Sequence, residues 1–292
     1  MRALILINPY SDLPEILYQP KRLKEELESL GVETDIRRND FLVTRIVDGK
    51  IVCDMGGYDF CIYLDKDRYN LKMLELSNIP LFNSYNAIMD CNDKMMTYIR
   101  LANNGLKIPK TIPGILCHVD FLEPSKEFFD SVERSFEYPF IIKECYGSMG
   151  NEVYLIKSRE DFLSIFEKVK CKQYLFQEYI GSSVGKDVRV IVIGGKVIGA
   201  MERSSDSDFR SNVAQGGSTR VFPVDDKIRD ISERIAKILG LDYCGIDLLF
   251  DGSGGYYVCE VNSNAFFNGF EKTTGINVAR LYAEYILEKM KK

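Results

Sequence analysis

Gly245-Ile246-Asp247-Leu248-Leu249-Phe250 and Val258-Cys259-Glu260-Val261-Asn262, separated by the glycine-rich Gly252-Ser253-Gly254-Gly255, read as the two strands of one hairpin. Both are apolar except at Asp247, Glu260 and Asn262. Glu260 and Asn262 are two residues apart and therefore share a face of their strand. If the turn 252–255 closes the hairpin symmetrically, Asp247 lies opposite Glu260 and three oxygen donors converge. Two carboxylates face to face repel each other, so the arrangement calls for a neutralising cation. An all-oxygen set suits Mg²⁺, with Mn²⁺ as a substitute, and phosphate completing the shell. A solvated strand face is the plain alternative, against which the apolar flanks argue.

Upstream, Asp187–Ile193, the turn Gly194-Gly195 and Lys196–Met201 form a second hairpin, whose glycines supply the positive φ that a tight turn needs. Lys186, Asp187 and Arg189 lie at its start, and Arg203 near its end. A Ser/Asp-rich loop over 204–218 carries Arg210, Ser211 and Asn212, whose donors suit phosphate and carboxylate groups. A strand at 219–224 and an amphipathic helix at 225–239 follow, and a helix over 278–289 closes the chain. Further upstream, residues 138–183 read as strand, glycine turn, strand, helix, strand. The first strand carries Lys143 and runs into Gly147, Ser148 and Gly150, small residues that let backbone N–H groups approach phosphate oxygens. No Gly-x-x-x-x-Gly-Lys-Ser/Thr stretch occurs, which disfavours a P-loop nucleotidase. A helix over 93–103, near a cap at Asn92 and stopped at Gly105, carries Lys94. Residues 1 to about 85 read as a parallel α/β unit, with strands at 3–8, 32–36, 59–64 and 79–82 and helices at 21–30 and 71–77.

The chain has 292 residues, 46% hydrophobic and 28% charged, which fits a globular protein of about two domains or one elaborate one. Its net charge of −5 gives no field that would favour nucleic acid or an anionic membrane. No apolar run approaches the roughly 18 residues of a membrane span, and the N-terminal run is too brief for a signal peptide, so a cytoplasmic protein is expected. Eight cysteines are scattered without a Cys-x-x-Cys, several within apolar strands, as expected of reduced thiols. The single histidine, His118, falls in a polar loop, which disfavours a Ser-His-Asp triad.

Taken in order along the chain, these residues resemble the ATP-grasp superfamily, and within it the RimK-like carboxylate–amine ligases of the α-L-glutamate type. The stretches that carry the resemblance are Asp93-Lys94 with Thr97, Gly105-x-x-x-Pro109-x-Thr111, Ile142-Lys143 with Gly147-Ser148-x-Gly150, Gln177-Glu178-Tyr179-Ile180, Lys186-Asp187-x-Arg189, Asp208-Phe209-Arg210-Ser211-Asn212, Gly245-x-Asp247 and Glu260-x-Asn262. The resemblance implies an ATP-grasp fold of mixed α/β and α+β class. Its parts would be a pre-ATP-grasp α/β domain over 1–90, a linker helix and central lid subdomain over 91–183, and a C-terminal subdomain with the metal site over 184–292. It implies that ATP lies between the last two. Lys94 and Lys143 would touch the nucleotide phosphates or adenine, Glu178 with Tyr179 would form the hinge that takes the adenine edge, Asp187 would face the ribose, and Gln177, Ile180 and Lys186 would also bind the nucleotide. Arg203, Arg210 and Asn212 would serve catalysis, with Ser211 beside them, and Asp247, Glu260 and Asn262 would hold two Mg²⁺. Many relatives have a third glycine where this chain has Glu152; a carboxylate there would repel a triphosphate, so Glu152 is expected to point outward.

The implied activity joins a carboxylate to an amine through an acyl phosphate, with release of ADP and phosphate. The acceptor is an amino acid, peptide, protein terminus or cofactor, and a homo-oligomer is a further expectation. Two rival expectations are an ATP-grasp kinase acting on a hydroxyl and an ATP sensor without turnover.

Overall fold

The computed structural model describes residues 1–40, 44–119, 124–147, 150–206, 208–211 and 217–291. The first unit contains β1 (Arg2–Ile7), α1 (Pro14–Ser29), β2 (Glu33–Arg38), the hairpin β3 (Thr44–Val47) and β4 (Lys50–Cys53), β5 (Phe60–Leu64), α2 (Arg68–Leu76) and β6 (Leu81–Phe82). Its parallel sheet has the order β2-β1-β5-β6. The expected helix at 21–30 begins seven residues earlier, at Pro14, and continues through Pro20. Pro14 sits where a missing N–H costs nothing, and Pro20 is buried with Leu23 and Leu27, which offsets the backbone bond it cannot make.

Helices α3 (Tyr85–Asn92) and α4 (Lys94–Leu101) follow, separated by Asp93 in an extended conformation. The α4 cap is thus Asp93 rather than Asn92: its carboxylate accepts from the Met95 and Met96 N–H groups at 2.9 and 3.1 Å. The unit in which the lid is expected comprises β7 (Thr111–Pro113), α5 (Lys126–Ser135), β8 (Phe140–Glu144), β9 (Val153–Ile156), α6 (Arg159–Val169) and β10 (Tyr174–Glu178), with an antiparallel sheet ordered β7-β10-β8-β9. The remainder comprises β11 (Lys186–Ile193), β12 (Lys196–Ser204), β13 (Ser218–Phe222), α7 (Asp226–Leu239), β14 (Tyr243–Phe250), β15 (Tyr256–Asn262), α8 (Asn268–Thr274) and α9 (Val278–Met290), with a sheet ordered β13-β12-β11-β14-β15.

Alternation along these last strands sorts them into two faces. Val188, Val190, Val192, Ile246, Leu248, Val258 and Val261 are buried in one apolar cluster with Ile228, Ile235 and Leu239 of α7. The opposite face carries the polar residues. Helix α9 returns to the start of the chain, where Val278, Ala279, Tyr282 and Ile286 share a core with β1, α1 and β5. Among the described residues, no helix is long and apolar enough to cross a membrane.

Candidate active site

The β14–β15 register pairs Asp247 with Glu260 and Gly245 with Asn262. A β-bulge produces this pairing: Phe250 pairs with Tyr256 and Leu248 with Val258, so Cys259 is the extra residue before Glu260 meets Asp247. Next to them, β11 sets Asp187 opposite Arg203 of β12 and Arg189 opposite Asp247 of β14. Six polar side chains therefore share one face of the sheet.

The cation that neutralises Asp247 in the structure is guanidinium. Arg189 grips the Asp247 carboxylate with Nε and Nη2, the latter at 2.7 Å, and Arg203 Nη2 lies 3.0 Å from Oδ2. Arg203 also holds Asp187, with Nε at 2.7 Å from Oδ1, and the Ser211 hydroxyl donates to the same carboxylate. Burial opposes the charge on Asp247, but the two arginines prevail and hold its pKa below the ordinary carboxylate range. Asp187, Arg203 and Asp247 are all buried. Such a network tolerates no missing member, because each removal strands a charge in a poor solvent.

Glu260 is more open. Its Oε1 lies 3.7 Å from Lys94 Nζ, which also donates to the Gly147 carbonyl at 3.3 Å. Lys143, from β8, is buried with Nζ 3.9 Å from Cys259 Sγ, and the Tyr98 hydroxyl donates to the Cys259 carbonyl. The bulge thus brings β8 and α4 against the β14–β15 hairpin. Asp247, Glu260 and Asn262 stand side by side in the register and are oxygen-bearing residue types that could hold Mg²⁺, although among the described residues no group of three or more His, Cys, Asp or Glu is placed to hold a metal.

Arg210 links the C-terminal loop to the lid. It is held bidentately by Asp208, and its Nη1 donates to the Gly150 carbonyl at 2.5 Å. Other expected contacts are directed elsewhere. The Gln177 amide donates to Thr111 Oγ1 at 2.9 Å, a Glu178 oxygen accepts from the Lys110 N–H at 3.1 Å, and Lys186 is exposed. Tyr179 packs edge-on to Phe209, and Ile180 is buried beside it in the chain. Ser148 and Asn212 lie outside the described residues. Glu152 does not point outward as expected: a Cβ at Gly147 would collide with its carboxylate, so it folds back over the turn.

Lys66, at the end of β5, escaped the sequence reading because it lies in no motif. Burial pushes its pKa below the ordinary lysine range, with Glu260 opposing that shift and Lys94 adding to it. Its ammonium is therefore within electrostatic reach of both.

A family model for the RimK-like ATP-grasp domain matches residues 91–286. The chain is 31% identical to β-citrylglutamate synthase B of Danio rerio over 91% of this chain and 68% of the relative. The human and mouse proteins of that name match over only 56% of their own length. A probable α-L-glutamate ligase of Psychromonas ingrahamii is 31% identical over 94% of this chain and 93% of its own. In fold, the chain is similar to D-alanine–D-alanine ligase of Bacillus anthracis, with a TM-score of 0.76 at 16% identity over 100% of this chain and 97% of that one. The chain belongs to the RimK-like ATP-grasp family, whose named relatives here are ligases and synthases.

Proposed function

We propose that the protein is an ATP-dependent ligase that joins a carboxylate to an amine through an acyl phosphate and releases ADP and phosphate. The supporting observation is the single sheet face on which Asp187, Arg189, Arg203, Asp247, Glu260 and Asn262 meet Lys94 and Lys143. No serine or cysteine paired with a histidine is required, because the carboxylate substrate is itself the nucleophile.

In this reading the division into 1–90, 91–183 and 184–292 is functional. The nucleotide lies between lid and C-terminal sheet, its adenine edge at Gln177–Ile180, its ribose near Lys186 and Asp187, and its phosphates at Lys94, Lys143, Gly147, Ser148 and Gly150. Asp247, Glu260 and Asn262 hold two Mg²⁺, which when bound neutralise the phosphate oxygens between which charge shifts. Arg203 keeps Asp247 ionised and oriented. Arg210, Ser211 and Asn212 are assigned to the transferring phosphoryl group, and the bond from Arg210 to Gly150 couples the lid to the loop that carries Arg210. A substrate carboxylate oxygen attacks the γ-phosphorus, the bond to ADP breaks, and the closed lid keeps water from the acyl phosphate. The amine then attacks the acyl carbon and phosphate leaves. Glutamate is the proposed amine, since the names of both relatives above contain it. The cytoplasm, where ATP is supplied and thiols stay reduced, is the proposed location.

The relatives do not favour the kinase, and the complete oxygen set argues against a sensor. The test is ADP and phosphate release with glutamate and a panel of carboxylates, with hydroxylamine as a trap. Hydroxamate formed with one acid supports the reading, whereas ADP without phosphate overturns it in favour of the kinase.

A further inference from the structure

The thiols of Cys117 and Cys171 lie 3.3 Å apart, sulfur to sulfur, although 54 positions separate them in the chain. Cys117 stands four residues beyond β7, and Cys171 two residues beyond α6. Each position is fixed from behind. The Gly114 N–H donates to the Tyr174 carbonyl at 2.8 Å, and any Cβ on Gly114 would strike the Tyr174 ring, so the β7 exit is clamped to β10. The end of α6 is held by Phe162, Phe166 and Val169 in the lid core. The approach of the two sulfurs therefore follows from packed elements rather than from a loose loop.

Cys171 is exposed and Cys117 half-buried, as are Cys53 and Cys259, whereas Cys61, Cys91, Cys145 and Cys244 are buried. Cys117 lines a cavity of about 290 Å³ together with His118 and Lys170, so small reagents can approach its sulfur from that side. A reachable thiol beside a second one is the arrangement that lets an oxidised sulfur be resolved rather than over-oxidised.

We propose that Cys117 and Cys171 are an oxidant-responsive modification site, closing to a disulfide that staples the β7 exit to the end of α6 within the lid. With hydrogen peroxide as oxidant, the Cys117 thiolate attacks one peroxide oxygen, the O–O bond breaks, and a sulfenic acid forms with loss of hydroxide. The Cys171 thiolate then attacks that sulfur; the S–O bond breaks and a second hydroxide leaves. Two protons from the thiols convert the hydroxides to two waters, and peroxide gains the two electrons that the sulfurs lose. A dithiol reductant reverses the bond by exchange. The closed bond constrains the unfolded chain over 54 positions and so raises the melting temperature of the segment that contains it.

The test uses the full chain, reduced, then treated with hydrogen peroxide, alkylated and digested without reductant. The expected result is a peptide pair joined between Cys117 and Cys171, lost on adding dithiothreitol and absent from both Cys117→Ser and Cys171→Ser. A melting temperature several degrees higher after oxidation should be seen in the wild type and in neither variant. Two results would overturn the proposal: both thiols still alkylated after peroxide has oxidised other sites, or Cys171 joined only to Cys171 of a second copy.

Discussion

The lid and the C-terminal sheet meet at Lys143 and Cys259, yet they are built on different principles. The lid core is aromatic: Phe129, Phe136, Phe140, Phe162, Phe166 and Phe176 pack with ring centroids 5.1 to 6.4 Å apart. Large rings give a small subdomain much buried area per residue and leave it self-sufficient. The C-terminal sheet keeps one face aliphatic, and on the other it holds buried Arg203, Asp187 and Asp247 beside half-buried Arg189. The aromatic unit is thus held by packing, while the charged face depends on its own completeness. The comparison teaches that chemistry is concentrated where the backbone register, rather than the packing, fixes position.

The largest effect should follow from Glu260→Gln. The change keeps the shape and removes the charge that a metal would need, so ADP release should fall at least about a hundredfold while the melting temperature stays near the wild type's. Unchanged turnover would move the metal site off this hairpin, and with it the contrast between the two sheets.

Arg203→Met should come next, and its effect should appear in stability. It leaves Asp187 and Asp247 buried without their shared partner, at a cost of about 3–5 kcal/mol by denaturant unfolding. Arg210→Met breaks a half-exposed pair with Asp208 and the bridge to Gly150, and should cost about 1 kcal/mol or less while slowing turnover. Equal losses from the two variants would mean that the buried network carries no special weight.

Much of this was legible in the residues, some of it through compensation. The sequence placed Asp247 opposite Glu260 by assuming a symmetric turn over 252–255. In the structure the turn is one residue longer and the Cys259 bulge restores the pairing, so the expectation held by a route that the sequence did not show. Without the bulge, Glu260 would face the apolar side. The partners of Asp247 were less accessible, because a cross-strand arginine lies more than fifty positions away and only the register of β11 against β14 brings it near. Helices α3, α5 and α8 and the β3–β4 hairpin were not read. Helix α3 runs almost directly into α4 and was hidden by it, and α8 is a single short stretch whose N-cap residue, Phe267, makes no side-chain cap. Lys66 lies in a loop whose meaning depends on what faces it.

A smaller effect tests the third wall of the cleft. Lys66→Ala should raise the KM of the carboxylate substrate by about tenfold, or ~1.4 kcal/mol, and leave that of ATP within about twofold. Burial pushes the Lys66 pKa down while Glu260 opposes the shift, so the ammonium is poorly solvated and within electrostatic reach of Glu260. A parallel rise in both constants would assign Lys66 to the nucleotide instead.

The smallest effect separates the two sheets by their thiols. Burial pushes the Cys259 thiol up to about 11, whereas Cys171 at the lid surface is exposed. The nucleophile is the thiolate, so at pH 8 only about one part in a thousand of Cys259 is reactive even where reagent can reach it. Under reducing conditions, iodoacetamide should label Cys171 at least about a hundredfold faster than Cys259, as read by peptide mass spectrometry. Raising the pH should speed Cys259 labelling about tenfold per unit until its own pKa is reached, because the shift favours the neutral thiol below that point. If Cys259 reacts as fast as Cys171 at pH 8, the bulge is open to water and the charged face is not sealed against the lid in the way that Lys143 and Tyr98 suggest.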